Sequence, residues 1–137
     1  MDSVMHQIGE VAEAVGLSVR TIRYYEEVGV VPPSGRTAGG FRLYTDDDIE
    51  RLRLVKQMKP LDFSLEEMRD LLHTRDRLAG KVVGEEREQL VERLRMYAAI
   101  AQTRCETLRA HLESAESFAG TLQRETSRGR RASRSKR

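Results

Sequence analysis

The sequence contains one cysteine, Cys105, so a framework of internal disulfides is excluded. Tryptophan is absent and aromatic residues make up 5%, which argues against a large aromatic-lined ligand pocket. No apolar run approaches the roughly 20 residues needed to cross a bilayer. Met1-Asp2-Ser3 begins nothing like a signal peptide, so a soluble, cytoplasmic protein with no membrane partner is expected. No nucleophile–base set, phosphate-binding loop or metal motif is present, and His6, His73 and His111 lack ligand spacing. The chain is therefore expected not to be an enzyme and to carry no cofactor or metal.

What is present is modest in size and unevenly charged. The 137 residues allow one compact domain and an appendage. A formal net charge of +2 conceals a basic end: residues 124–137 hold seven Lys/Arg and one Glu, whereas residues 1–123 hold 17 basic and 21 acidic side chains. Any DNA affinity in the folded part must then come from the placement of a few arginines.

Ile8, Val11, Ala12 and Val15 share one helical face, and Gly16 stops that helix. Ser18 can cap a second helix running to about Val28, with Leu17 and Ile22 as a hydrophobic staple. Two short helices around a glycine turn outline a helix-turn-helix. Val30-Val31 and Phe41-Arg42-Leu43-Tyr44 are β-prone ends around a Gly/Pro-rich middle, and predict a small hairpin wing.

Thr45 starts a third helix, buried through Ile49, Leu52 and Val55 and ended by Pro60. Asp46, Asp47 and Asp48 are expected to form a solvated first turn favoured by the helix dipole, not a metal cluster. Ser64-Leu65-Glu66-Glu67 is a capping box, with Phe63 and Met68 as a staple and Met68, Leu71 and Leu72 facing inward.

After Gly84 a long proline-free helix is expected. Val91, Leu94, Ala98, Ala101, Cys105, Leu108, Leu112, Ala115, Ala119 and Leu122 recur at alternating spacings of three and four, a coiled-coil seam. At 1.5 Å per residue it spans roughly 45 Å, too long for so small a domain to cover, and a second copy is the simplest partner. The predicted organisation is a winged helix-turn-helix over 1–78, a coiled-coil dimerisation helix over 84–123 and a basic, disordered tail over 124–137. The fold class is all-α with a small β-hairpin wing.

In the second helix Val19 and Ile22 can face the core, which leaves Arg20, Thr21, Arg23 and Tyr24 outward. Arginine can donate two hydrogen bonds to guanine in the major groove, while Tyr and Thr suit phosphate oxygens or a thymine methyl. Arg36, Arg42 and Tyr44 bracket the wing and are candidates to grip the DNA backbone. An ordinary exposed helix face carrying arginines is the competing account of the same residues.

The order of parts resembles the MerR family of transcriptional regulators. The resemblance rests on Ile8-Gly9-Glu10-Val11-Ala12, Gly16-Leu17-Ser18, Arg20-Thr21-Ile22-Arg23-Tyr24-Tyr25-Glu26 and Gly29-Val30-Val31-Pro32-Pro33. It continues through Arg36, Gly39-Gly40-Phe41-Arg42-Leu43-Tyr44 and Phe63-Ser64-Leu65-Glu66-Glu67-Met68. Pro60 and Asp62 depart from the family, which often has a non-proline residue and a glycine there; they bear on the angle between the third and fourth helices rather than on DNA reading.

The resemblance implies a homodimer whose long helices pair antiparallel. It further implies binding to a pseudo-palindromic promoter with a long spacer, which the dimer distorts so that RNA polymerase can engage both its elements. It assigns Arg20, Arg23 and Tyr24 to reading and Arg36, Arg42 and Tyr44 to wing contacts with phosphate. Metal-sensing members carry cysteines around the dimer helix; residues 80–95 and 113–137 here have neither Cys nor His.

Cys105 reads either as a small apolar seam residue or as a redox site. In an antiparallel pair it lies near the seam midpoint and so near its own mate. An alternative function is a sequence-blind nucleoid-associated or adaptor protein acting through its basic tail and coiled coil. The arginine and tyrosine pattern of the second helix, which such a protein would not require, discriminates between the two.

Overall fold

A computed structural model describes residues 4–135. The element order is β1 (His6–Gln7), α1 (Ile8–Val15), α2 (Val19–Glu27), β2 (Gly35–Arg36), β3 (Arg42–Tyr44), α3 (Asp46–Met58), a 3-10 turn (Lys59–Leu61), α4 (Leu65–Ala79) and α5 (Gly84–Ser135). The chain divides into two compact units, Met1–Tyr97 and Ala98–Arg137.

In the first unit, Val11 and Val15 of α1, Ile22 and Tyr25 of α2, and Ile49, Leu52, Val55 and Met58 of α3 make one buried core. Met68 and Leu72 of α4 and Phe63 join it. Each such side chain contributes about 1.5–3 kcal/mol on burial. Gly16 closes α1 at φ 70°, a left-handed turn that suits glycine, and Lys56 Nζ donates to the freed carbonyl of Val15 at 2.9 Å. Ser18 caps α2 by accepting from the Thr21 amide at 3.0 Å. Thr45 and Ser64 each complete a capping box, with Asp48 and Glu67.

Several sequence expectations are corrected. The wing strands are Gly35–Arg36 and Arg42–Tyr44; Val30 and Val31 are buried in the turn after α2 rather than paired in the hairpin. A third strand, β1, pairs antiparallel with β3, His6 opposite Tyr44 and Gln7 opposite Leu43. Two residues are too short for alternation to betray a strand. The aspartate triplet is not uniformly solvated: Asp48 is 3% exposed. It accepts from the Ser34 hydroxyl at 2.5 Å, the Thr45 amide at 3.0 Å and Arg51 Nη1 at 3.0 Å. It thus ties the entry to the wing to the start of α3.

The α3–α4 connection uses the two departures noted in the sequence. Pro60 sits inside the 3-10 turn, and Asp62 takes φ 58°, the left-handed conformation that glycine adopts freely and aspartate tolerates better than most residues.

The beginning of α5 belongs to the first unit, beyond the boundary expected at 78–84. Tyr97 is buried, its ring lies 6.2 Å from that of Phe63, and its hydroxyl donates to Asp70 Oδ2 at 2.5 Å. Arg93 Nε donates to the same oxygen at 2.6 Å. Within the second unit the helix does not stop near residue 123 but runs to Ser135, so the expected disordered tail is helical over 124–135. Its five arginines, Glu125 and Ala132 are good helix formers, and extending an existing helix avoids the cost of nucleation. Residues 136 and 137 of that tail lie outside the described residues. No helix among the described residues is long and apolar enough to cross a membrane.

Candidate nucleic-acid interface

The helix α2 is anchored by Ile22 and Tyr25, 0% and 2% exposed, which point into the core. Spacings of three and four residues then put Arg20, Arg23 and Tyr24 together on the solvent side, where all three are exposed. Among the described residues neither Arg20 nor Arg23 is held in an ion pair, so both guanidinium groups keep their full donor sets. Thr21 is half-buried, and its hydroxyl lies 2.8 Å from Ser18 Oγ, so it reinforces the cap of α2. The far end of the helix is fixed by Arg69 of α4, whose Nη1 donates to the Val28 carbonyl at 2.6 Å.

The wing is bolted to this helix through Glu26. Its Oε1 accepts from Arg36 Nη2 at 2.6 Å, and its Oε2 accepts from Arg42 Nε. Arg36 and Arg42 are cross-strand partners, so one carboxylate grips both strands at once. Arg36 Nη1 also donates to the Gly40 carbonyl at 3.1 Å, bracing the tip. The three side chains together carry one net positive charge, and several guanidinium donors remain for an external anion. Glu26 belongs to the recognised motif, yet its role escaped sequence reasoning because it depends on two residues 10 and 16 positions away.

Tyr44, expected to touch phosphate, is fully buried at 0% exposure and cannot reach DNA. It lies on β3, the central strand between β1 and β2, and burial pushes its hydroxyl above the ordinary tyrosine value. By contrast Phe41, which precedes β3 at the wing tip, is 68% exposed. The tip is closed by hydrogen bonds between Thr37 and Phe41, Thr37 N to Phe41 O at 2.9 Å and Phe41 N to Thr37 Oγ1 at 3.0 Å.

Apart from Thr21, which reinforces the cap of α2, the site residues thus fall into three groups. Arg20, Arg23 and Tyr24 are displayed together on α2, Arg36 and Arg42 are joined to them through Glu26, and Tyr44 belongs to the core. Along α5, Val91 and Leu94 are half-buried within the first unit. In the second unit Ala101 and Cys105 are half-covered, Ala98, Ala115 and Ala119 are exposed, and Leu108, Leu112 and Leu122 are 45%, 57% and 47% exposed. Cys105 is a free thiol. Among the described residues no three His, Cys, Asp or Glu side chains converge as a metal-binding group.

A short helix displaying unpaired arginines beside a braced hairpin defines a winged helix-turn-helix DNA-binding protein. Its sequence matches the MerR HTH family regulatory protein over residues 7–74 and the MerR DNA-binding region over residues 49–124. The chain belongs to the MerR family of DNA-binding transcriptional regulators. It is 38% identical over 110 residues to the transcriptional regulator HmrR of Sinorhizobium medicae, covering 78% of this chain and 74% of that protein. It is 45% identical over 71 residues to the transcriptional regulator ZntR of Escherichia coli K12, covering 52% of this chain and 50% of that protein. Its fold is similar to that of HiNmlR, a MerR family regulator lacking the sensor domain and bound to promoter DNA. That match has a TM-score of 0.63 and 26% identity, and covers 88% of this chain and 92% of that one.

Proposed function

We propose that two copies of the chain pair through the seam from Val91 to Leu122 and place their α2 helices in the major groove of a pseudo-palindromic promoter. The observation that carries this reading is the pair of exposed, unpaired guanidinium groups of Arg20 and Arg23 on a helix fixed at both ends. Bidentate donation to guanine gives each about 1–3 kcal/mol of base discrimination. Tyr24 meets phosphate or a thymine methyl beside them, and Arg36 and Arg42 meet the backbone with the donors that Glu26 leaves free.

Exposed leucines at 108, 112 and 122 support pairing, because an apolar stripe along a helix needs a cover. The dimer distorts the spacer between the promoter elements, and RNA polymerase is engaged through the reshaped DNA and not through a protein contact. Bending of a site of this size costs on the order of 1–6 kcal/mol, offset by the contacts the bend permits. The protein acts in the cytoplasm, where the promoter is.

The test is Arg23→Ala in the full chain, titrated on operator and on unrelated duplex. Affinity for the operator is expected to fall about 10- to 100-fold while unrelated DNA is bound nearly as before. If the preference for the operator survives unchanged, Arg23 is not a reader.

A further inference from the structure

The seam ends at Leu122, yet the helix continues to Ser135. This extension has its own chemistry. Residues 124–137 carry six arginines, one lysine and one glutamate, whereas the rest of the chain carries more acid than base. Arg124, Ser127, Arg128 and Arg131 line one shallow groove along the helix, together with Gly120 and Gln123. All described arginines of the segment are exposed, and among the described residues Arg128, Arg130, Arg131 and Arg134 have no ion-pair partner. Arg124 donates only to the Thr121 hydroxyl, at 3.2 Å.

We infer that this basic helical extension is a second DNA contact, one that grips the phosphate backbone without reading bases. The inference rests on the reading of the chain as a DNA-binding regulator, and adds a binding surface to it.

Three features select duplex phosphate over a protein surface. First, Ala132 is the only apolar side chain between Gln123 and Arg137 apart from glycine. A protein interface of any strength needs a desolvated apolar or aromatic centre, and this segment has none. Second, the charge is almost entirely arginine, whose planar fork matches phosphate, with Ser133 and Gln123 as further donors. Third, the charge density fits. From Arg124 to Arg134 the helix rises about 15 Å, a length over which duplex DNA carries roughly nine phosphates. Five guanidinium groups stand in that span. The remainder of the chain is net acidic, so without this segment its long-range field would oppose approach to DNA.

The experiment replaces Arg124, Arg128, Arg130, Arg131 and Arg134 by glutamine in the full chain, keeping helix propensity while removing five charges. Circular dichroism checks that helicity is retained. Affinity is measured against salt for operator and for unrelated duplex of equal length. The inference expects affinity for both duplexes to fall by a similar factor, at least tenfold at low salt, with their ratio preserved. It also expects the slope of log affinity against log salt to become shallower by up to about 4.5 per chain.

Unchanged affinity and slope in a helical variant would overturn the inference. So would unchanged DNA binding accompanied by weaker self-association in sedimentation, which would assign the segment to a protein partner. Failure of the underlying reading shows separately: Arg23→Ala would then leave operator preference intact, whatever the glutamine variant does.

Discussion

The carboxylate of Glu26, in the last turn of α2, is held by the guanidinium of Arg36 in the wing at 2.6 Å. With Arg42 on its other oxygen, this carboxylate fixes the angle between α2 and the hairpin beside it. Side chains on both partners are partly exposed, 19% for Glu26 and 25% for Arg42, so solvent screens the pair. A double-mutant cycle of Glu26→Gln and Arg42→Gln in urea melts is expected to give a coupling of about 1 kcal/mol. Effects that add to within about 0.3 kcal/mol would remove Glu26 from this role.

Asp48 and Asp47 are neighbours with opposite fates. Asp48→Ala leaves the Ser34 hydroxyl, the Thr45 amide and Arg51 without their buried acceptor, and is expected to cost about 2–4 kcal/mol. Asp47 is exposed, and Asp47→Ala should stay within about 0.5 kcal/mol. Equal losses in thermal unfolding would mean that the buried network is not what stabilises this corner.

Acid should loosen the junction between α4 and the start of α5. Burial pushes the Asp70 carboxyl up, but the hydrogen bonds from Arg93 and Tyr97 outweigh it and hold the group below its ordinary value. Tyr97, desolvated and bound to Asp70, is pushed up to about 12 and remains a donor through the neutral range. A carboxylate with a lowered folded pKa contributes its full stability above the unfolded value of about 3.9, and loses it as pH falls through the folded value. The stability gap between the native chain and Asp70→Asn is therefore expected to be constant near neutrality and to shrink below about pH 4. A gap that does not change with acidification would rule out the ionised Asp70 as its source.

Pairing through α5 can be tested at Leu112, 57% exposed. Leu112→Lys buries a charge in the proposed seam, and sedimentation should show a shift toward monomer with the first unit still folded. Ser114→Lys, off the seam, should leave the assembly unchanged. A dimer that tolerates Leu112→Lys would place the contact elsewhere.

Much of this molecule follows from local rules written in the sequence. The glycine stop at Gly16, the caps at Ser18, Thr45 and Ser64, and the stripes of α1 and α3 each depend on residues within one or two turns. The same is true of the outward face of α2, because Ile22 and Tyr25 leave Arg20, Arg23 and Tyr24 no other side. Burial and pairing across long separations were decided only in three dimensions. Tyr44 looked like a wing contact until the two-residue strand β1 paired against β3 and placed it in the core. Asp48 looked solvated until Ser34 and Arg51 converged on it. Glu26 acquired its role from arginines on two strands, β2 and β3, and Tyr97 was buried in the first unit because Asp70 and Phe63 met it. Sequence periodicity reports which face of an element is apolar; which partner arrives at that face is a long-range event, and it is there that the tertiary structure added what the sequence left open.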